Sequence, residues 1–349
     1  MDGLAYHSSL RMSPFQGPSS ALDNFSQPQR TLKSSIGCVG VGVHSGARVE
    51  MTLSPAPVGT GIIFRRTDLA IDLPADYRHV VDTRLCTVLG KGTARISTVE
   101  HVMAALAGSG ITNALVGVNG QELPILDGSS AGILFLIDCA GTQDQAAAVA
   151  EIDVLRTVRV TDGQAFAELQ PGSVGPLRSG LAMSISIDFS AQAIGRQALS
   201  LQLSPATFRD ELARARTFAL AGDVARLQSA GLALGGSLDN AVVVDGDRVL
   251  NPCGLRMPDE FVRHKLLDAV GDLALAGAPL NGRFVGHRSS HALNNQLLHA
   301  LFADPANFRW VPGSVAEPAL PTGWSGGAGL PGSGNRHDHH QRVAAAPPR

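Results

Sequence analysis

One order of predicted elements occurs twice along this chain, and this duplication constrains the fold more than any other feature. In each half, β-branched residues alternate with polar ones between Gly, Pro and Asp, which predicts strands joined by turns. These runs are VGVGVH, ARVEMTLSPAP and GTGIIFRR in the first half, and VLRTVRVTDGQAFAELQP and LAMSISIDF in the second. Each half then gives a helix that contains His-x6-Gly, as His101 with Gly108 and His264 with Gly271. We therefore predict two similar halves that mix strands and helices.

The length of the chain agrees with this division. A chain of 349 residues with 44% hydrophobic and 17% charged residues is typical of a globular protein with two domains. The Ala/Gln-rich stretch GTQDQAAAVA places the boundary near residue 150, which predicts domains at 30–150 and 151–312. Residues 1–29 and 313–349 lack periodicity and are rich in Ser, Pro, Gln or Gly, so we expect both to be disordered. The HDHH cluster in the second of these segments is expected to be solvated and to have no catalytic role.

Charge and hydropathy narrow the classes of partner. The formal net charge is -2, without a basic excess, which argues against a nucleic-acid partner. The first residues lack the apolar stretch of a signal peptide, and no run approaches the roughly 18 apolar residues of a membrane span. We expect a cytoplasmic monomer without stable membrane insertion. The cysteines lie far apart without a CxxC pair, so a metal would be held by His and carboxylates rather than thiolates.

The second helix, predicted over 258–277, carries a polar stripe. At about 100° per residue, His264, Asp268 and Asp272 lie on one side with Lys265 beside them, opposite an apolar side. A solvated face is the common meaning of such a stripe. Asp268 and Asp272 are like charges at i and i+4, however, which destabilises a plain surface helix. A His four residues before an Asp also places both where one metal ion can contact them. The apolar side is formed by Val262, Leu266, Ala269, Val270 and Leu273.

The first helix begins near Ser97 and leaves Glu100 and His101 off its apolar stripe. Ser97 and Glu100 fit a capping box, in which the Glu side chain reaches back to the backbone of the cap residue. Glu followed directly by His also suits a metallohydrolase, in which His binds the metal and the carboxylate takes a proton from water. Two His and one carboxylate leave a coordination position open and suit catalytic zinc or a non-haem Fe(II) oxygenase. Glu100 favours the hydrolase, because the oxygenase does not need a base there.

A third histidine, His291, follows two serines that can cap the next helix. By itself an exposed His at a helix start is the simpler interpretation. A hydrolase that cleaves an amide needs an acid to protonate the leaving amine, and Asp272 is available to keep the His291 imidazole charged.

Seven segments in this order resemble one known family. They are IGCVGVGVHSG, RISTVEHVMAALAG, LPILDGSS, RARTFAL, GLALGGSLDNAVV, DEFVRHKLLDAVGDLALAG and SHALNN. Together they closely resemble the UDP-3-O-acyl-N-acetylglucosamine deacetylases, zinc enzymes that commit bacteria to lipid A and lipopolysaccharide synthesis. The likeness extends from about Gln29 to about Val311. It implies an α+β fold of two similar domains, each with a helix pair layered on a mainly antiparallel sheet, and an active site between the domains.

The resemblance also implies roles for individual residues. The ligands of Zn²⁺, or of Fe²⁺ as the alternative ion, would be His101, His264 and Asp268. The catalytic residues would be the base Glu100, the acid His291, its partner Asp272, and Thr217, whose hydroxyl would stabilise the oxyanion. Substrate contacts would be made by Lys265, by Phe218 against the sugar, and by Cys86 at the mouth of the site, where it can take up excess zinc. Structural supports would be His44 and Asp127.

A segment of the second half would bind the acyl chain. Residues 223–252 resemble the insert that forms a hydrophobic passage in this family, and VVVDGDRVL within it independently predicts a hairpin with an Asp-Gly turn. The expected substrate is therefore a UDP-linked, acylated amino sugar that loses its N-acetyl group. Two alternatives remain open at this stage. One is an Fe(II) oxygenase with the same ligands, and the other is a metal carrier that also uses the HDHH cluster.

Overall fold

The computed structural model describes residues 27–173 and 179–313, and their strands and helices repeat in the two halves of the chain. The predicted extension up to residue 26 and the HDHH cluster lie outside the described residues. The first half contains β1 Pro28–Leu32, β2 Ile36–Val41, β3 Arg48–Pro55, β4 Ile62–Arg66, β5 Ile71–Pro74, β6 Val80–Asp82, β7 Val88–Lys91, β8 Ala94–Ile96, α1 Glu100–Gly108, β9 Ala114–Val118, α2 Ala131–Ala140 and β10 Thr142–Ala148. The first strand begins at Pro28, before the predicted domain start at 30, because Pro28 pairs with Ala148.

The second half repeats this pattern with an insertion. It contains β11 Glu151–Val154, β12 Val158–Asp162, β13 Ala165–Pro171, β14 Leu181–Asp188, β15 Arg196–Gln202, α3 Pro205–Thr207, β16 Phe218–Leu220, α4 Ala221–Ser229, β17 Val242–Asp245, β18 Arg248–Val249, α5 Glu260–Ala274, β19 Leu280–His287, α6 His291–Ala303 and β20 Phe308–Val311. The domain boundary near residue 150 stays a prediction.

The main sheets of the two halves have the same topology. The first sheet has the order β2-β3-β9-β4-β5, and the corresponding strands of the second have the order β12-β13-β19-β14-β15. In both, the central strand is antiparallel to one neighbour and parallel to the other. One helix precedes that central strand and one follows it, as α1 and α2 do for β9 and as α5 and α6 do for β19. The α+β fold with two similar, mainly antiparallel halves is thus confirmed.

Strand periodicity decides which face of each sheet is buried. In β3 the side chains of Val49, Met51 and Leu53 are buried and alternate with exposed Arg48 and Glu50, so one face packs on the core. Successive side chains of a strand point to opposite faces, which is why the alternation in ARVEMTLSP predicted this strand. Burying a large apolar side chain contributes about 1.5–3 kcal/mol.

The helices α1 and α5 pack directly on each other, and their glycines explain the His-x6-Gly pattern. A Cβ at Gly271 would collide with the carbonyl oxygen of Glu100, and one at Gly108 would collide with the ring of Phe208. Because α1 covers α5, the polar stripe of α5 is buried as deeply as its apolar side, and Asp272 is only 2% exposed. A solvated face is therefore the wrong interpretation of this stripe.

The insertion, which lies between β15 and α5, forms a small sheet of its own in the order β16-β17-β18, and its first strand precedes the predicted insert at 223–252. Val244 pairs with Val249 and Asp245 pairs with Arg248, which leaves a two-residue turn at Gly246 and Asp247. Gly246 has a φ of 62°, a conformation that glycine adopts without strain. The predicted hairpin is thus present, but its two turn residues are Gly-Asp rather than the predicted Asp-Gly, because Asp245 still pairs in the ladder. Among the described residues, no helix combines the length and apolar character needed to cross a bilayer.

The contact at Gly271 gives a first prediction. Gly271→Ala should lower the free energy of unfolding by about 1–3 kcal/mol, because the added methyl group pushes α1 away from α5. Gly222→Ala is the matched control, since that glycine lies in α4 with no atom within 4 Å of an added Cβ. The control should be neutral or slightly stabilising. Equal thermal unfolding of the two variants would contradict the close packing of the two helices.

Candidate active site

Three side chains from the two packed helices converge on one point. His101 lies in the first turn of α1, and His264 and Asp268 are one turn apart on α5. Their ligand atoms all lie within 4.8 Å of one another, and all three residues are buried. The Oδ1 atom of Asp268 is 3.2 Å from Nε2 of His264 and 3.6 Å from Nε2 of His101. Among the residues that the structure describes, this is the one group arranged to hold a metal ion.

His264 is held in the form that a metal ligand requires. Its Nδ1 lies 3.0 Å from the carbonyl oxygen of Ala215 and donates a hydrogen bond to it, which leaves the Nε2 lone pair free to face Asp268. Burial lowers the pKa of His264 to about 4, even though Asp268 opposes this shift. The imidazole is therefore neutral at physiological pH. A hydrogen bond from the other ring nitrogen is how metal-binding histidines are usually oriented.

Asp268 provides the test of whether these residues fit a cation. Its Oδ2 accepts a hydrogen bond of 2.9 Å from Nζ of Lys265, whereas its buried Oδ1 has no hydrogen-bond partner among the described residues. A buried carboxylate oxygen without a partner is destabilising. Two imidazole nitrogens and one carboxylate oxygen suit Zn²⁺ or Fe²⁺ and leave a position open. The donor set therefore fits a catalytic divalent ion.

Protons compete with a cation for this site. Burial opposes a charge on His101, but attraction to Asp268 and Glu100 outweighs burial and raises the His101 pKa above its usual value. The pKa of Asp268 is well below its usual range, because its neighbours His264 and Lys265 outweigh the effect of burial. A metal ion would displace the proton from His101, so metal binding should weaken as pH falls.

Glu100 lies beside the metal group and does not cap its helix. The helix α1 begins at Glu100 itself, with Val99 as the cap residue, so the capping box predicted for Ser97 does not form. Instead, Oε2 of Glu100 accepts a hydrogen bond of 3.0 Å from the backbone N–H of Thr87. Burial, reinforced by Asp272 and Asp268, raises the pKa of Glu100. A raised pKa suits a carboxylate that accepts a proton near neutral pH.

His291 faces Glu100 from the other side of the site. It is the first residue of α6, and Ser290 caps that helix by accepting a hydrogen bond from Leu293, as the sequence predicts. Its Nδ1 is 2.9 Å from Oδ2 of Asp272, and its Nε2 is 3.9 Å from Oε1 of Glu100. Burial opposes the charge on His291, but the Asp272 and Glu100 carboxylates overcome it and raise the pKa to about 9. His291 therefore stays protonated at neutral pH and loses its proton as pH rises through about 9.

These groups open into a cavity of about 770 Å³. Its polar end is formed by Glu100, His101, His264, Asp268 and His291. Thr217 and Phe218 line the wall, and the Phe218 ring packs edge-on against Phe261 and His264 with centroids 5.0 and 6.3 Å apart. Cys86 also lines the cavity but is only 6% exposed, and burial raises the pKa of its thiol far above the usual value. Its thiol is therefore protonated and is not part of the metal group.

The predicted supports are held by ion pairs and hydrogen bonds near the site. Asp127 forms a 2.8 Å ion pair with Arg256 and accepts hydrogen bonds from Ser129. The backbone N–H of His44 donates to the buried carboxylate of Glu122, and its ring lines the cavity. The ion pair between Asp127 and Arg256 joins a loop of the first half to the segment before α5.

Several residues around the site carried no periodic signal in the sequence. Two of them are Thr87, whose hydroxyl donates a hydrogen bond of 2.6 Å to Asp272, and Asn294, whose side chain donates one of 2.9 Å to the same carboxylate. Buried Glu260 forms an ion pair of 2.8 Å with Arg216 and accepts a hydrogen bond from its backbone N–H, which fixes the segment between Ala215 and Thr217 against α5. The one sequence signal for Arg216 was its position inside the segment RARTFAL, next to Thr217.

Sequence comparison with known proteins shows the family to which this chain belongs. The sequence model of the family described as UDP-3-O-acyl N-acetylglycosamine deacetylase matches residues 29–303. The chain belongs to this family. The UDP-3-O-acyl-N-acetylglucosamine deacetylase of Anaeromyxobacter dehalogenans is 47% identical over 294 residues, which cover 84% of this chain and 94% of that protein. The protein of the same name from Acidithiobacillus ferrooxidans is 49% identical over 277 residues, 78% of this chain and 89% of that protein. The resemblance drawn from the seven sequence segments is thus confirmed.

Two aspartates on α5 allow a matched test of the metal site. Asp268→Ala should abolish stoichiometric metal binding, because it removes one of three converging ligands. Asp272→Asn, one turn along the same helix, should keep the metal, since Asp272 contacts His291, Thr87 and Asn294 instead. Metal content per chain after dialysis measures both effects. Retention of the metal by Asp268→Ala would place the ion elsewhere.

Proposed function

We propose that this protein hydrolyses the N-acetyl group of UDP-3-O-acyl-N-acetylglucosamine and releases acetate in a zinc-dependent reaction. In bacteria this is the committed step of lipid A synthesis, and a cytoplasmic location and a monomeric state remain predictions. The observation that carries the proposal is the pair Glu100 and His291, 3.9 Å apart beside the metal-binding group. Amide hydrolysis needs a base for water and an acid for the leaving amine, and this pair supplies both.

The proposed roles follow from the position of each side chain. An ion held by His101, His264 and Asp268 would supply a Lewis acid that polarises the acetyl carbonyl and lowers the pKa of water. Glu100 accepts a proton from the attacking water as the water oxygen forms a bond to the carbonyl carbon.

The remaining steps use the other side of the cavity. The Thr217 hydroxyl donates a hydrogen bond to the oxygen that becomes negatively charged. His291 donates its Nε2 proton to the glucosamine nitrogen as the carbon–nitrogen bond breaks, and Asp272 holds the imidazolium through Nδ1. The products are acetate and the free amine.

Two regions suit the rest of the substrate. A cavity of about 280 Å³ is lined by Lys265, Arg288, Phe189 and neighbouring residues, and we assign the UDP moiety to it. The cations match the charge of a diphosphate, and the aromatic ring offers a surface for a base.

The acyl chain is assigned to the larger cavity, where the insertion contributes Val224, Leu227, Ala233, Ala241 and Val243 to the wall. Such a lining favours a hydrocarbon chain over a polar group.

Glu100 and His291 also weigh against the alternatives. An Fe(II) oxygenase shares the ligand set but does not use a buried acid and base in contact with the cavity, and a metal carrier needs neither. Acetate release that depends on zinc and not on oxygen distinguishes the three functions.

The proposal predicts a specific effect of Glu100→Gln. This change should retain the metal and the fold but reduce the rate of acetate release by roughly 10²- to 10⁴-fold, because the amide cannot accept a proton. A Glu that only contacts Thr87 would affect melting temperature more than rate. Metal content, melting temperature and rate are measured on the same preparation. A rate close to that of the parent protein would remove Glu100 from the mechanism.

The acyl assignment predicts a dependence on chain length. Removing two methylenes from the substrate should reduce kcat/KM by up to about 15-fold, since each buried methylene is worth about 0.8 kcal/mol. Val224→Trp should impair long-chain substrates and spare one without the acyl chain, because Val224 lines the cavity.

The neighbouring Ala225→Trp is the control, since Ala225 is exposed on the same helix and does not line the cavity. Equal activity of the parent protein on all chain lengths would refute the assignment.

A further inference from the structure

Thr87 contacts both arms of the proposed acid–base pair. It lies between β6 and β7 and is only 1% exposed. Its backbone N–H donates to Oε2 of Glu100 at 3.0 Å, and its hydroxyl donates to Oδ1 of Asp272 at 2.6 Å. Its carbonyl oxygen accepts a hydrogen bond of 3.3 Å from Val99, the residue that caps α1. Glu100 and Asp272 lie on the two helices that bear the metal-binding group, and Val99 caps the first of these helices.

The hydroxyl fixes the orientation of the Asp272 carboxylate toward His291. With Oδ1 occupied by Thr87, Oδ2 accepts the hydrogen bonds from Nδ1 of His291 and from the Asn294 side chain, each 2.9 Å long. Rotation of the carboxylate would break all three bonds inside a buried site. The orientation of the His291 imidazole therefore depends on the hydrogen bond between Thr87 and Asp272, which are 185 residues apart in the sequence.

The backbone of Thr87 fixes Glu100 in the same way. Because Oε2 is held by the Thr87 N–H, Oε1 is the oxygen on the side of His291, 3.9 Å from its Nε2. The two groups reach the site from opposite halves of the chain, Glu100 on α1 and His291 on α6. Thr87 is the residue bonded to the base and, through Asp272, to the acid.

We propose that Thr87 is a positioning residue, which aligns the base Glu100 and the acid His291 by bonding Glu100 and Asp272 at once. This inference rests on the proposed deacetylase function. It assigns the hydroxyl of Thr87 a part in the reaction although the hydroxyl does not touch the substrate. A misaligned acid–base pair slows proton transfer without changing how the substrate is bound.

The test is Thr87→Val, which removes the hydroxyl, preserves the shape of the side chain and retains both backbone hydrogen bonds. We expect kcat to fall about 10- to 100-fold, the effect typical of losing a residue that orients a catalytic group. KM should stay within about twofold and metal content should be unchanged, since the ligands are untouched. Thr87→Ser, which restores the hydroxyl, should recover kcat to within about threefold of the parent protein.

Thr31→Val is the matched control. Thr31 is also buried, and its hydroxyl donates to the carbonyl oxygen of Asn113 in a part of the first half outside the cavity lining. This variant should lose stability but not kcat. In an Asp272→Asn background, Thr87→Val should have little further effect, because a hydroxyl that acts through Asp272 has lost its partner.

The outcomes separate this inference from the function on which it rests. A parent protein that releases no acetate with bound zinc overturns the deacetylase function itself. An active parent with an unchanged kcat in Thr87→Val, no rescue by Thr87→Ser, or fully additive losses with Asp272→Asn overturns the role of Thr87 alone. If Thr87→Val does not fold, Thr87→Ala carries the same expectation, since it also lacks the hydroxyl and keeps the backbone bonds.

Discussion

The close contact between α1 and α5 is the constraint on which the rest of the structure depends. The absence of a side chain at Gly271 lets the backbone of Glu100 lie against α5. This contact places His101 within reach of His264 and Asp268, and it removes all of these side chains from water. The same contact joins equivalent helices of two similar halves. A site between the halves is thus a consequence of how they pack.

Because these side chains are buried, the energy of the site depends mainly on how its charges are paired. The carboxylates of Glu100, Asp268 and Asp272 are all nearly inaccessible to solvent. Once His101 has lost its proton, as a metal ligand must, only two cationic side chains, Lys265 and His291, lie beside them. A buried charge without a partner is strongly destabilising, so the excess of negative charge favours binding of a divalent ion. The same surroundings raise the pKa values of Glu100 and His291 in the directions that acid–base chemistry needs. Stability and function therefore depend on the same set of contacts.

The sequence revealed those parts of the fold and site that depend on local spacing. Helical periodicity placed His264, Asp268 and Asp272 on one face, and two serines predicted the start of the helix at His291. Local spacing failed where the helix start itself was in question, since α1 begins at Glu100 and no capping box forms. Local spacing also gave no signal for Thr87, because the Thr87 hydroxyl donates its hydrogen bond to Asp272 on the other half of the chain.

Zinc titration of metal-stripped protein tests the central claim most directly. Acetate release from UDP-3-O-acyl-N-acetylglucosamine is followed as zinc is added, for the parent protein and for Asp268→Ala. The convergence of His101, His264 and Asp268 predicts that activity rises from near zero to a plateau at one ion per chain, and that the variant shows no rise. Activity in the absence of metal, or the same zinc response in Asp268→Ala, would contradict a catalytic ion held between α1 and α5.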